Sequence, residues 1–207
     1  MFGLTFAFPS SRHMKPTTSS YSHSFLKRSL DVIISLLVLP LALVLVIFGI
    51  ILLIVPLGPK VFYSQKRLGL HRQEFSIFKL RTLKVGTVND LAGMSPLDDD
   101  FVLFGHWLRR WRIDELPQII NILKGEMSWI GPRPERPHLS EQAQKDYPNF
   151  LDRCNVKPGI TGLAQINLPN ATPNENGSKL KYDLEYLEKA SFWMDLAILV
   201  KTVRAIT

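Results

Sequence analysis

Hydrophobic and polar positions divide the chain into unequal stretches. Residues 1–24 are rich in serine and threonine and carry no periodicity, so they read as a flexible tail, with Phe2, Phe6 and Phe8 available to touch lipid. Residues 32–59 carry no charge: Asp31 is the last before the run and Lys60 the first after it. As a straight helix the run measures about 42 Å, against a hydrocarbon core of roughly 30 Å. It exceeds the roughly 7–15 apolar residues of a secretory signal. An all-apolar helix of this length is rarely hidden inside a small soluble domain. A membrane-inserted helix over 25–59 is therefore expected.

The flanks shape that expectation. Arg12, Lys15, Lys27 and Arg28 precede the run, and Lys60, Lys66, Arg67 and Arg72 follow it. A spanning helix has its basic residues on one side, and here both ends are basic. Pro40 lies inside the run, removes one helical hydrogen bond and crowds the preceding turn. Together these features predict a helix broken or bent at Pro40 that enters and leaves on one face of the membrane.

Beyond Lys60 the pattern changes. Residues 74–83, EFSIFKLRTL, alternate and predict a strand. Alternation places Phe75, Ile77, Lys79 and Arg81 on one face, with Lys79 and Arg81 roughly 7 Å apart. Two cations at that spacing suit a diphosphate, and a solvated edge strand suits the same residues. Residues 98–113 place Phe101, Phe104, Leu108 and Trp111 at helical spacing behind a run of aspartates. A second helix is expected over DELPQIINILKG, with Asp114 as N-cap, Pro117 in the first turn and Gly125 as the stop. Residues 129–137, WIGPRPERP, and 156–166 are turn-rich; the first holds Arg133 and Arg136 on a stiff backbone suited to presenting a guanidinium to phosphate. Residues 178–190 are amphipathic, and the last sixteen residues have a broad apolar face that suits either a core or a membrane interface. The fold class is α+β, mostly helical: a membrane helix joined to a small domain, 60–207, with amphipathic helices and a short strand region.

Charge narrows the partners. The net charge of +7 fits nucleic acid, an anionic membrane surface or phosphorylated substrates. The single cysteine, Cys154, has no internal disulfide partner, and no clustered His/Cys set offers a zinc site. The adjacent carboxylates Asp114 and Glu115 stand out in this basic chain. They read either as a helix start or as chemistry on a phosphate.

The order of motifs decides between them. KRSLD, the hydrophobic segment, GPKVFYSQKRLG, FSIFKLRT, DELPQIINILKGEMSWIGPRPERP, VKPGITGLAQIN and a closing DLEYL…DLAILVKT follow one another from about Lys27 to the C-terminus. This order resembles the bacterial sugar transferases, the monotopic phosphoglycosyl transferases, in a minimal form without extra N-terminal membrane helices. The resemblance implies a two-step exchange at the cytoplasmic face of the bacterial inner membrane. An aspartate attacks the sugar-linked phosphorus of a UDP-sugar, UMP leaves, and polyprenyl (undecaprenyl) phosphate then takes the phosphosugar to start a glycan. By motif position Asp114 is the nucleophile, Glu115 the magnesium (Mg2+) ligand, and Lys79, Arg81, Arg109 and Arg133 are the basic positions around substrate, with Arg109 catalytic. The partners so implied are the two substrates and membrane lipid; no nucleic acid is needed, and a homo-oligomer stays open. The family usually breaks its membrane helix at a Ser-Pro pair, whereas here Leu39 precedes Pro40, so no hydroxyl is at hand for the freed backbone.

The chemistry agrees with these roles. A carboxylate can form an acyl phosphate and split one hard step into two. Its attack on a diphosphate meets like-charge repulsion, which magnesium and basic side chains relieve. On one unbroken helix Arg109 and Asp114 would point about 140° apart, so a break near Ile113 is required; without it Arg110 is better placed. Two other readings remain. A membrane-anchored basic module for anionic lipid or nucleic acid would be indifferent to Asp114 and magnesium. A different magnesium-dependent phosphotransferase or phosphatase acting on lipid would not release UMP.

Overall fold

The computed structural model describes residues 17–87, 97–169 and 175–206. Phe2, Phe6 and Phe8 lie outside the described residues. Of the rest of the stretch read as a tail, Ser20–His23 form a 3-10 turn. Ser19 fastens that turn, donating from its amide to the Leu187 carbonyl (2.7 Å) and from its hydroxyl to the Ala190 carbonyl (2.7 Å).

Helix α1, Phe25–Leu57, opens on the Ser24 side chain, which accepts from the Lys27 amide, and closes at Gly58, where φ is 57°. The helix passes through Pro40 without interruption. The proline removes one helical hydrogen bond, so the change of direction expected at Pro40 falls within one continuous helix. A second proline, Pro56, occupies the last turn.

The buried positions of α1 are Lys27, Asp31, Ser35, Ala42, Gly49, Leu53 and Leu57, spaced by fours and sevens along one face. Around them Leu36, Leu37, Leu41, Val44, Ile47, Ile51 and Val55 stand exposed. By length and composition α1 can cross a membrane, and it is the one such helix among the described residues.

Both ends of α1 dock on the following domain. At the N-terminal end Lys27 Nζ meets Asp195 Oδ2 at 2.6 Å. Arg28 donates to the carbonyls of Ile122 (2.6 Å) and Leu123 (2.8 Å). Asp31 Oδ1 accepts from the Ser128 hydroxyl (2.9 Å) and the Trp129 amide (3.0 Å). At the C-terminal end Leu53 and Leu57 join Val61, Leu80, Val102, Leu108 and Ile113 in one core. Gly49 permits that approach, because a Cβ there would lie 2.7 Å from Leu80 Cδ1.

Among the described residues the domain contains two small sheets. Strands β1, Phe62–Leu68, and β2, Glu74–Leu80, pair antiparallel with Tyr63 opposite Lys79. Strand β2 falls within the segment that alternation predicted, but it is covered on both faces: Leu80 packs toward α1 while Ile77 joins Ile122 and Met127. Arg81 lies one residue past its end. The expected helix over 98–113 is much shorter. Asp98–Asp100 form a 3-10 turn, Phe101 bridges to Leu83, and only Gly105–Arg110 form helix α2. Left-handed Phe104 (φ 65°) and Arg112 (φ 56°) bracket α2.

The segment DELPQ is a 3-10 turn, Ile113–Gln118, leading into α3, Ile119–Lys124, which Gly125 ends at φ 85°. Arg112, not Asp114, occupies the N-cap, and Pro117 falls late in the turn. The turn-rich segments hold short elements: β3, Ser128–Ile130, parallel to β4, Gly159–Thr161, and helix α5, Leu163–Asn167. Helix α4, Pro137–Asp146, lies between them, and α6, Asn176–Lys189, and α7, Phe192–Ile206, close the chain.

Removing Lys27 tests the docking. Asp195 keeps hydroxyl donors from Tyr21 (3.1 Å) and Tyr186 (2.8 Å) but would lose its counter-charge. Lys27→Met is expected to cost about 3 kcal/mol, the scale for breaking a buried pair. Adding Asp195→Asn should recover most of it, read by thermal unfolding in one membrane mimic; equal losses in both variants would show that the charge pair is not the fastener.

Candidate active site

Asp114 and Glu115 are both buried in the 3-10 turn, yet their surroundings differ. Glu115 Oε1 accepts from Arg133 Nη2 at 2.6 Å and from Lys79 Nζ at 3.0 Å. Its other oxygen faces Arg112 Nη1 at 3.8 Å. Burial works against ionisation, but the charges of Arg133 and Lys79 prevail and hold Glu115 well below the usual carboxylate range. Asp114 Oδ1 is buried and has no hydrogen-bond partner. Burial, aided by the adjacent Glu115 charge, pushes its pKa up to about 6, while Lys79, Arg109 and Arg112 pull the other way. One carboxylate is thus fixed and charged, and its neighbour is kept short of partners.

Three segments build this arrangement. Strand β2 delivers Lys79, whose pKa burial lowers against the pull of Glu115. The left-handed Arg112 turns the chain from α2 into the 3-10 turn and supplies the break that Arg109 required, one residue earlier than expected. Arg109 sits over the Phe101 ring at 5.7 Å and acts on Asp114 through its field. The loop after β3 delivers Arg133.

That loop is held at nearly every residue. Gly131 N donates to Thr161 O, and Pro132 O accepts from Gly159 N, both at 2.9 Å. Arg133 O accepts from Arg153 Nη2 at 2.8 Å, and Arg153 itself is pinned by buried Asp183 at 2.8 Å. Arg67 holds Pro134 O and Glu135, each at 3.2 Å. The glycines are sterically required, since a Cβ on Gly159 would lie 2.2 Å from Gly131 N. The stiffness read from the sequence is therefore real, and its guanidinium is aimed at Glu115.

The structure brings Asp114, Glu115, Lys79 and Arg133 together. Arg81 keeps to the face of Lys79, stacked (5.2 Å) on the Tyr63 that lies opposite Lys79. Lying past the strand, it donates to the Lys60 carbonyl (3.0 Å). Three supporting residues escaped sequence reasoning: Arg112, Arg153 and Asp183. The sole sequence signal for Arg112 was its place two residues before Asp114.

The described residues hold no group of three or more His, Cys, Asp or Glu side chains placed for a metal. The acidic pair still offers two hard oxygens, the orphaned Asp114 Oδ1 and Glu115 Oε2. Glu115 Oε1, by contrast, is spent on two cations. This donor set suits magnesium completed by substrate phosphate and water, and not an all-protein cage.

The sequence profile of the family described as Bacterial sugar transferase matches residues 22–207. A UDP-N-acetylgalactosamine-undecaprenyl-phosphate N-acetylgalactosaminephosphotransferase of Aeromonas hydrophila is 33% identical over 186 residues, covering 89% of this chain and 44% of its own length. A UDP-glucose:undecaprenyl-phosphate glucose-1-phosphate transferase of Xanthomonas campestris pv. campestris is 41% identical over 152 residues, 70% of this chain and 31% of that protein. The Bacillus subtilis protein described as uncharacterized sugar transferase EpsL is 37% identical over 182 residues, 87% of each chain. The chain thus spans less than half of the first two relatives and most of the third. The match covers both the acidic pair and the helix docked beside it, and the chain belongs to the bacterial sugar transferase family.

Proposed function

We propose that the chain moves a sugar-1-phosphate from a UDP-sugar to polyprenyl phosphate through a covalent aspartyl intermediate. The observation that carries this reading is Asp114: a buried carboxylate with an unpartnered oxygen, beside a carboxylate already neutralised by two cations. In the first step an Asp114 oxygen attacks the sugar-linked phosphorus. The bond from that phosphorus to the bridging oxygen breaks, and UMP leaves with the electron pair. In the second step an oxygen of polyprenyl phosphate attacks the same phosphorus, and the Asp114 carboxylate departs. The product is a polyprenyl-diphosphate sugar.

The chain's own residues divide the work. Lys79 and Arg133 keep Glu115 ionised and oriented, Arg109 biases Asp114 toward its anion, and the clamped loop holds Arg133 still. Glu115 would hold magnesium beside the substrate phosphates, and the ion would supply charge that offsets the repulsion between carboxylate and diphosphate. UDP-sugars and undecaprenyl phosphate are named for the Aeromonas and Xanthomonas relatives, which supports this substrate class.

Helix α1 inserts in the inner membrane from the cytoplasmic side and returns to it. Support comes from its two ends, both fastened to one domain, and from the basic residues at both flanks.

Purified protein with magnesium, undecaprenyl phosphate and a panel of UDP-sugars should release UMP from one of them, and Asp114→Asn should abolish that release. UMP persisting in the variant would remove Asp114 as nucleophile. Turnover should also follow the charge of Asp114. Below about pH 6 this carboxyl takes up a proton and cannot attack, so kcat/KM falls about tenfold per unit on the acid side. Higher magnesium should move that limb to lower pH, and a profile indifferent to magnesium would argue against metal at the pair. For topology, single cysteines at His23 and Lys60 in a Cys154→Ala background should react with an impermeant maleimide from the same side. Opposite accessibility would mean a spanning helix.

A further inference from the structure

The cations around the acidic pair are not equivalent. Lys79 and Arg133 both spend donors on Glu115 Oε1, and Arg109 rests on an aromatic ring. Arg112 differs. Its guanidinium stands 3.8 Å from Glu115 Oε2, beyond hydrogen-bond reach, and makes no hydrogen bond among the described residues. Its side chain is 50% exposed, against 16% for Lys79 and 6% for Glu115. It therefore stands on the solvent side of two buried carboxylates.

The backbone adds a second observation. Arg112 sits at φ 56° and ψ 18°, a left-handed conformation that glycine or asparagine adopts with least strain. The turn alone calls for one of those residues. An arginine there is a costly choice unless its side chain is used.

Charge points to an anion as the user. Asp114 and Glu115 carry two negative charges when ionised, and Lys79, Arg109, Arg112 and Arg133 carry four positive ones. Two of those cations hold Glu115. The uncommitted guanidinium at the mouth has a planar fork of donors that matches phosphate oxygens.

We propose that Arg112 binds the diphosphate of the incoming nucleotide, so that it is a substrate-contacting residue of this site and not a surface arginine. The proposal rests on the nucleotide-sugar reading above. Arg112 meets the diphosphate on the solvent side of the buried Asp114. Because the 3.8 Å contact with Glu115 is loose, the guanidinium can leave it without uncovering a tightly paired charge.

The test uses the full chain in lipid nanodiscs with magnesium, and UDP as the probe. Arg112→Asn suits the left-handed backbone and removes the charge, so folding is preserved; thermal unfolding checks this. It should weaken UDP binding by about tenfold or more, the scale of one charged hydrogen-bonded contact. Arg112→Lys should recover part of the loss. Lys145→Asn, on exposed α4, matches the charge change and should bind UDP as the parent does. In turnover, Arg112→Asn should raise KM for the UDP-sugar and leave KM for polyprenyl phosphate unchanged. A folded Arg112→Asn protein that binds UDP as tightly as the parent overturns the proposal, and UMP release by the parent in that case leaves the sugar-phosphate reading intact. A parent that neither binds UDP nor releases UMP overturns both.

Discussion

A carboxylate taken out of water must have its charge answered, and Glu115 is answered twice on a single oxygen. That requirement joins three segments distant in sequence: β2 through Lys79, the turn through Glu115, and the loop after β3 through Arg133. Losing either cation would leave a buried charge short of compensation, which costs several kcal/mol. The interaction also sets Asp114 apart. With Lys79 and Arg133 engaged by Glu115, Asp114 keeps an oxygen without a donor, and burial raises its pKa toward neutrality. Two adjacent carboxylates therefore acquire different properties from their surroundings alone.

Support for this pair extends outward in layers. Arg153 holds the Arg133 carbonyl, and Asp183 on α6 holds Arg153. Arg67 on β1 grips the same loop from its other end. These are buried or half-buried charges on a short, glycine-and-proline backbone with little regular structure to stiffen it. Ion pairs and close glycine contacts do the work that a long helix or a wide sheet does elsewhere. The site is thereby rigid at the fixed cation and more open at Arg112.

Much of this was legible in the chain. The long apolar helix, the strand carrying Lys79, the stop at Gly125 and the stiff Pro-Arg-Pro segment each have strong local causes. The errors have causes too. Residues 98–113 hold a helical hydrophobic pattern, but Phe104 and Arg112 take left-handed conformations that periodicity does not report. Asp183 and Arg153 gave no local signal, because their meaning lies in a contact thirty residues apart.

The docking stripe of α1 changes character along its length. Its first part is polar, with Lys27, Asp31 and Ser35, and its last part is apolar, with Gly49, Leu53 and Leu57. Water would favour burying the apolar part, but hydrocarbon solvates leucine as well as protein does, so within lipid that half gains mainly close packing. The polar half behaves in the opposite way. Lys27 and Asp31 find no substitute partner in acyl chains, and their rotation toward lipid would strand a charge. The orientation of the helix about its own axis is therefore written in three polar side chains near its start, and the many leucines, which a bilayer would solvate on any side, are nearly silent on which way it faces.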